Sequence, residues 1–368
     1  MKRRQFVKSL AGTAALASSL SLSSCVTEEE SLKILVLGGT NFLGPSIVEA
    51  AIARNHQISL FNRGISNPTL YPQLQLFKGD RESGIEGYSS LADQEWDLVI
   101  DVWPEKSRLV DDATKVFQEK ARHYVFISSI AVYNNFQEVG LHESSNLVSL
   151  ELDKVDWEYP EEKHAAENFV RERFPSNHSI LRPGPITGWR NPAYDLLYWC
   201  LKLSSHEPFI APGSGQDPLQ FIDVKDVGRF AIQAAEQKLL GTYNCVGPGE
   251  EKLLWKDFIQ TAQSHFNSNA KVYWASEEFF KKHKIYSFSD MPLWAPLSED
   301  PGFMQISNEK LISSGFTYRP MTETLDDCLK WYSQNVQRTI DFGAAEVGLG
   351  LNRQHELDLI KLLEAGLE

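Results

Sequence analysis

Leu32-Lys33-Ile34-Leu35-Val36-Leu37 opens the patterned part of the chain as a short, almost unbroken apolar run. A run of that length reads as a strand buried on both faces. It passes into Gly38-Gly39-Thr40-Asn41-Phe42-Leu43-Gly44, and then into a helical stretch from Pro45 to Ala53. Further strand-like runs follow at Gln57–Phe61, Gln75–Phe77, Trp96–Val102 and Tyr124–Ser128, most of them separated by helical stretches. Strands alternating with helices predict a doubly wound α/β sheet. Near the end, Leu359, Leu362 and Leu363 fall on one side of a helix over 353–365, with Ile360 beside them, which predicts a packing role.

The first strand, glycine turn and helix have the order of a dinucleotide-binding unit of the Rossmann type. Glycines let the backbone approach a pyrophosphate, and the helix N-terminus turns its free N–H groups towards it. The candidate contacts are Gly38, Thr40, Asn41, Phe42, Leu43 and Gly44. Asn41 stands where the usual pattern has its middle glycine; after Gly, Asn is among the residues that best tolerate a left-handed backbone. The second strand ends in Asn62-Arg63 rather than in a carboxylate that would hold the ribose hydroxyls of NAD. This removes a repulsion and offers a partner for a 2′-phosphate, which tips the choice towards NADP and leaves NAD open.

The fifth strand ends in hydroxyls at Ser128-Ser129, and Tyr159-Pro160-Glu161-Glu162-Lys163 opens a later helix. Tyr159 and Lys163, four apart, share one helical face. Pro160 belongs in a first helical turn and pushes Tyr159 to the mouth of the helix. With these residues the chain resembles an extended, atypical short-chain dehydrogenase/reductase of the NAD-dependent epimerase/dehydratase superfamily. Supporting motifs are Gly79-Asp80-Arg81 after the third strand, Leu181-Arg182-Pro183-Gly184, Gln220 to Asp226, and Gly315-Phe316 before Thr324 to Tyr332.

The resemblance covers most of residues 32 to 335. It implies a catalytic set of Ser129, Tyr159 and Lys163. It also implies cofactor contacts from Asp80, Arg81, Val102 and Pro183 in addition to Asn62 and Arg63. A free tyrosine has a pKa of about 10, too high for a base at neutral pH. An adjacent ammonium and an oxidised nicotinamide are expected to lower it. The domains that follow are a nucleotide-binding part at 32–188, returning at about 219–247, and a substrate part at 189–218 and 248–335. A helical tail completes the chain at 336–368. Trp103, Trp189, Tyr198, Trp199, Trp274 and Trp294 are candidates either for stacking on a sugar ring or for plain core.

Composition narrows the partners. Lys2, Arg3, Arg4 and Lys8 precede an uncharged stretch from Ser9 to Ser24, the form of an export leader, too short and mild to span a membrane. Arg3-Arg4-Gln5-Phe6-Val7-Lys8 resembles a twin-arginine signal, and Leu22-Ser23-Ser24-Cys25 a lipobox that would acylate Cys25. The reading is a signal peptide at 1–24 and a tether at 25–31, giving a periplasmic or cell-envelope lipoprotein whose only membrane contact is the lipid on Cys25. The net charge of −13 becomes −17 when the four leader cations are removed, which argues against nucleic acid. Cys200, Cys245 and Cys328 are far apart in sequence, and His123, His164 and His178 lack ligand spacing, so no metal site or disulfide framework is indicated.

Together these point to an exported enzyme with a tightly held nicotinamide. It would act on a hydroxylated small molecule, a sugar or glycoside, by transient oxidation and re-reduction. An ordinary dissociable NAD(P)-dependent reductase and a non-catalytic NAD(P)-binding protein related to stem-loop RNA-binding proteins are the alternatives. The resemblance leaves a homodimer open.

Overall fold

The computed structural model describes residues 31–102, 105–151, 156–249 and 251–366. The leader, Cys25 and Trp103 lie outside the described residues. The first half is built from β1 (Lys33–Leu37), α1 (Leu43–Ala53), β2 (Gln57–Asn62), β3 (Gln75–Lys78), β4 (Trp96–Asp101), α2 (Ser107–Phe117), β5 (Ala121–Ile127), α3 (Tyr159–Arg173) and β6 (His178–Pro183). Then come β7 (Ile186–Thr187), α4 (Asp195–Ser204), β8 (Phe209–Pro212), β9 (Ile222–Asp223), α5 (Val224–Glu236) and β10 (Gly241–Cys245). The chain closes with α6 (Trp255–Phe266), β11 (Val272–Ala275), α7 (Glu277–His283), α8 (Glu309–Ser313), α9 (Met321–Asn335) and α10 (Arg353–Glu364).

Seven strands form one sheet in the order β10-β6-β5-β4-β1-β2-β3, with every neighbouring pair parallel. The strands are apolar almost throughout because both faces are covered. Leu35, Leu37 and Val99 join the layer of α2 and α3, where Val110, Phe117 and Val170 lie. Ile34, Val36, Leu98 and Ile100 join the layer of α1 and α5, with Ile47, Val48, Val227 and Phe230. The winding direction reverses between β1 and β4, which opens a crevice beyond their carboxyl ends. This is the doubly wound Rossmann-type sheet expected from the alternation of elements.

A second core gathers α4, α6, α9 and α10 around Trp199, Trp255, Phe258, Leu325, Leu359 and Ile360. Tail residues Ile340 and Leu351 belong to it, so the tail is part of this core. Glu356 anchors the tail: fully buried, it accepts from Lys202 at 2.5 Å, Arg353 at 2.8 Å and the Ile210 amide at 3.1 Å. Tyr198, Trp199 and Trp294 are buried here, which settles their role as packing. Trp274 packs half-buried against the same core, and Trp189 lies under Arg190 and Lys225.

Helix α5 fixes α1, the helix behind the glycine turn. At their crossing a Cβ on Gly228 would stand 2.5 Å from the carbonyl carbon of Ser46. Gly228→Ala gains about 1 kcal/mol in helix propensity but drives a methyl group into backbone, and overpacking costs ~1–3 kcal/mol. The backbone contact cannot swing aside, so the expected outcome is a net loss of roughly 1 kcal/mol in urea unfolding. An unchanged or higher midpoint would refute this account of the crossing.

Candidate active site

The glycine turn is tight because its backbone folds onto itself. A Cβ on Gly44 would lie 2.4 Å from Gly39 Cα, and one on Gly38 would lie 2.7 Å from Val102 Cγ2. Gly38 (φ 117°) and Gly39 (φ 93°) carry the positive φ angles of the turn, whereas Asn41 is absent from the residues with positive φ. Asn41 therefore needs no left-handed backbone, and its tolerance has a simpler reason than the expected one. Helix α1 starts without a side-chain cap and without an acid in its first turn. Its free N–H groups remain available to an anion.

A cavity of about 530 Å³ runs from this turn across the ends of β2 and β3. Gly38, Thr40, Asn41, Phe42, Leu43, Gly44, Asn62, Arg63, Asp80, Arg81 and Val102 all line it, as expected. Pro183 does not; it ends β6, paired with Cys245. Asn62 acts as a bracket, donating to Gly38 O at 2.8 Å while its oxygen accepts from the Gly64 amide at 2.8 Å. Asn67 adds a second tie to Thr40 O at 2.7 Å. Asp80 caps the following 3₁₀ turn by accepting from the Glu82 amide. The Arg81 terminal nitrogens are committed to Asp101 at 2.7 and 2.8 Å and to Leu109 O at 2.8 Å, so Arg81 forms the floor of the cavity. The uncapped helix start, the close-packed glycines and the ribose-side polar groups fit a dinucleotide.

Ser129, Tyr159 and Lys163 stand outside that cavity wall. Tyr159 is the first residue of α3, whose start is fixed by Glu158 and Glu161 in a reciprocal capping box with Pro160 following, as Pro160 predicted. The Ser129 hydroxyl accepts from the Ala131 amide at 3.1 Å, and it acts on the Tyr159 phenol. Tyr159 remains 47 % exposed, and partial burial raises its pKa while the Ser129 bond opposes the rise. The protein's own groups thus do not produce the expected lowering; desolvation outweighs them. Lys163 is buried, donates to Ile127 O at 2.8 Å, and stands 5.7 Å from the Tyr159 ring centroid. Burial draws its pKa down to about 8, and the carboxylates of Asp101 and Glu167 resist that fall.

One turn below Lys163 lies a group that the sequence did not disclose. Glu167 is fully buried and accepts from Arg182 at 2.8 and 2.7 Å, from Arg171 at 2.6 Å and from the Ser128 hydroxyl at 2.6 Å. Burial pushes its carboxyl upward, but the Arg182 and Arg171 charges and the Ser128 bond hold it below the usual range. Arg182 continues to Tyr133, whose hydroxyl donates to Asn244 at 2.6 Å. The signal was present in part: Arg182 interrupts an apolar strand, and Glu167 repeats the spacing of Tyr159 and Lys163. Similarly, Asp101 at the end of β4 is buried, bound by Arg81 and Tyr124. The candidate histidines serve structure: His123 faces Ser179, His164 faces Val148 O and His178 faces Phe174 O.

A parallel sheet with a glycine turn at its switch point and a Ser/Tyr/Lys set beside it defines a nucleotide-dependent short-chain dehydrogenase fold. The chain belongs to the NAD dependent epimerase/dehydratase family, whose model matches residues 34–245. It is 25 % identical over 300 residues to the chloroplast stem-loop binding protein of 41 kDa b from Arabidopsis thaliana, covering 74 % of each chain. Its fold is similar to that of the UDP-Glc/GlcNAc 4-epimerase from Campylobacter jejuni, with a TM-score of 0.61 and 15 % identity over 83 % of this chain and 100 % of that one. The UDP-glucuronic acid 4-epimerase from Bacillus cereus, solved in complex with NAD, gives a TM-score of 0.57 and 16 % identity over 82 % and 99 %.

The charge state of Lys163 can be tested directly. In protein labelled with ¹³C at lysine Cε, one resonance is expected to titrate at about 8 and to be missing from Lys163→Met. A spectrum in which every lysine titrates near the ordinary ~10.4 would contradict this assignment.

Proposed function

We propose that the chain is an exported enzyme that holds its nicotinamide dinucleotide throughout turnover and acts on a free sugar, a glycoside or another hydroxylated small molecule. What supports the reading is the Tyr159 ring with the Lys163 ammonium 5.7 Å from its centroid, one helical turn on. A bound nicotinamide supplies the acceptor and donor of hydride. Tyr159 then takes the proton from the substrate hydroxyl at its phenol oxygen and returns it when the carbon is reduced again. Ser129 orients the same oxygen. Lys163, charged below about 8, stabilises the phenolate and would hold the nicotinamide ribose. Because the proton and hydride that leave the carbon both come back, the substrate is changed only at a neighbouring bond or in configuration. No net oxidant is consumed.

The leader motivates the retained cofactor. A twin-arginine route carries folded proteins, and no NADP pool exists outside the cytoplasm to refill an emptied site. Asn62-Arg63 at the end of β2 supports NADP over NAD. Nucleotide-activated sugars, the substrates named for the structural neighbours, are scarce in that compartment, which favours an unactivated substrate. A second reading, a nucleotide-binding protein without catalysis, draws on the likeness to the stem-loop binding protein. The net charge of −13 opposes contact with a phosphate backbone.

Two measurements test the proposal. Denaturing protein purified from the envelope is expected to release about one nicotinamide nucleotide per chain, and its absence would end the case for a retained cofactor. Added to the native protein, substrates from a panel of sugars and glycosides are expected to change the absorbance of the bound nicotinamide. Tyr159→Phe should keep the nucleotide and slow that change by roughly 10²–10⁴-fold. An unaltered rate in Tyr159→Phe would remove the phenol from the mechanism.

A further inference from the structure

We propose that Lys78, the last residue of β3, is a second anchor for the 2′-phosphate of NADP and sets the cofactor choice together with Arg63. The inference rests on the reading of the cleft as an NADP site and assigns a residue which that reading does not contain. Asn62 and Lys78 are paired across β2 and β3. Two positions earlier in each strand, Leu60 and Leu76 face the α1 layer, so Asn62 and Lys78 share that face at the carboxyl ends. Beyond Asn62 the chain turns at Gly64 (φ 71°), and the Asn62 side chain closes the turn. A Cβ on Gly64 would stand 3.2 Å from Lys78 Cε and 3.7 Å from its Nζ. The ammonium therefore lies against the turn that carries Arg63, a residue that lines the cavity.

Both cations are exposed, and neither makes an ion pair among the described residues. An isolated surface lysine is ordinarily just solvated. Here two such cations meet on one turn, while the nearby acids are directed elsewhere. Asp80 caps the turn that follows it, and Glu82 pairs with Arg108 at 2.7 Å. Asn62, placed where a carboxylate would bind ribose hydroxyls, is neutral and spends both ends of its amide on the two turns. A doubly charged phosphate on the ribose gains from both cations, whereas the bare hydroxyl of NAD gains from neither.

The test is a fluorescence titration of nucleotide-stripped protein with NADPH and with NADH, for the wild type, Arg63→Met, Lys78→Met and Lys78→Arg. The wild type is expected to prefer NADPH. Lys78→Met should weaken NADPH binding by roughly tenfold, the size of one charge-assisted contact at an exposed site, and leave NADH binding unchanged. Lys78→Arg should restore the preference. A wild type that binds both nucleotides equally would overturn the NADP reading itself. A wild-type preference that survives in Lys78→Met, or an equal loss on both nucleotides, would overturn the role of Lys78 alone.

Discussion

One buried carboxylate holds the Ser128-Ser129 turn and the helix of Tyr159 and Lys163 in register. Glu167 sits on the helix that bears Tyr159 and Lys163, and its bonds run to Ser128 at the end of β5 and to Arg182 near the end of β6. Removing two charges from water costs several kcal/mol each, and only complete pairing makes the arrangement tolerable. Glu167 meets that condition with two arginines and a hydroxyl. Ser129 follows Ser128 directly, so the bond that fixes Ser128 also fixes the turn presenting Ser129 to the phenol.

The same architecture sets the charges around Tyr159 and Lys163. The phenol begins above its ordinary range because partial burial dominates. Lys163 is desolvated, yet it keeps Asp101 and Glu167 nearby, and this balance leaves its proton mobile near neutral pH. Asp101 is in turn neutralised by Arg81 from below the cavity. Thus the cavity at the glycine turn and the helix of Tyr159 and Lys163 share one electrostatic chain, Arg81–Asp101–Lys163.

Much of this was readable because it is local. The strands of the sheet, the glycine turn and the Tyr159–Lys163 spacing each lie within a few residues, where periodicity and turn chemistry operate. Asn62 and Arg63 stood out because a missing carboxylate is visible in one line of sequence, and both line the cavity. What escaped reading was assembled across distance: Glu167 with Ser128 and Arg182, Asp101 with Arg81, and Lys78 beside Gly64. For the aromatic residues the sequence left packing and stacking both open. Tyr198 and Trp199 follow each other in α4 yet both are buried, Trp199 donating to Pro292 O at 2.8 Å. No pattern within α4 announces that remote carbonyl.

The loop that leaves the Ser129 turn is closed from the far end of the chain. Gly140 N donates to Gln305 O and Gly302 N to Phe136 O, and a side chain at Gly302 would strike Glu138 O at 2.0 Å. Every residue of the nucleotide cavity lies between Leu37 and Leu109. During synthesis, then, the ribosome has released every residue that lines that cavity long before it makes the strip that ties down the loop. Contacts separated by so much chain form late, because the entropy of closing the intervening loop opposes them. Until that strip arrives, the stretch from Phe136 to Gly140 lacks these backbone partners and stays unanchored.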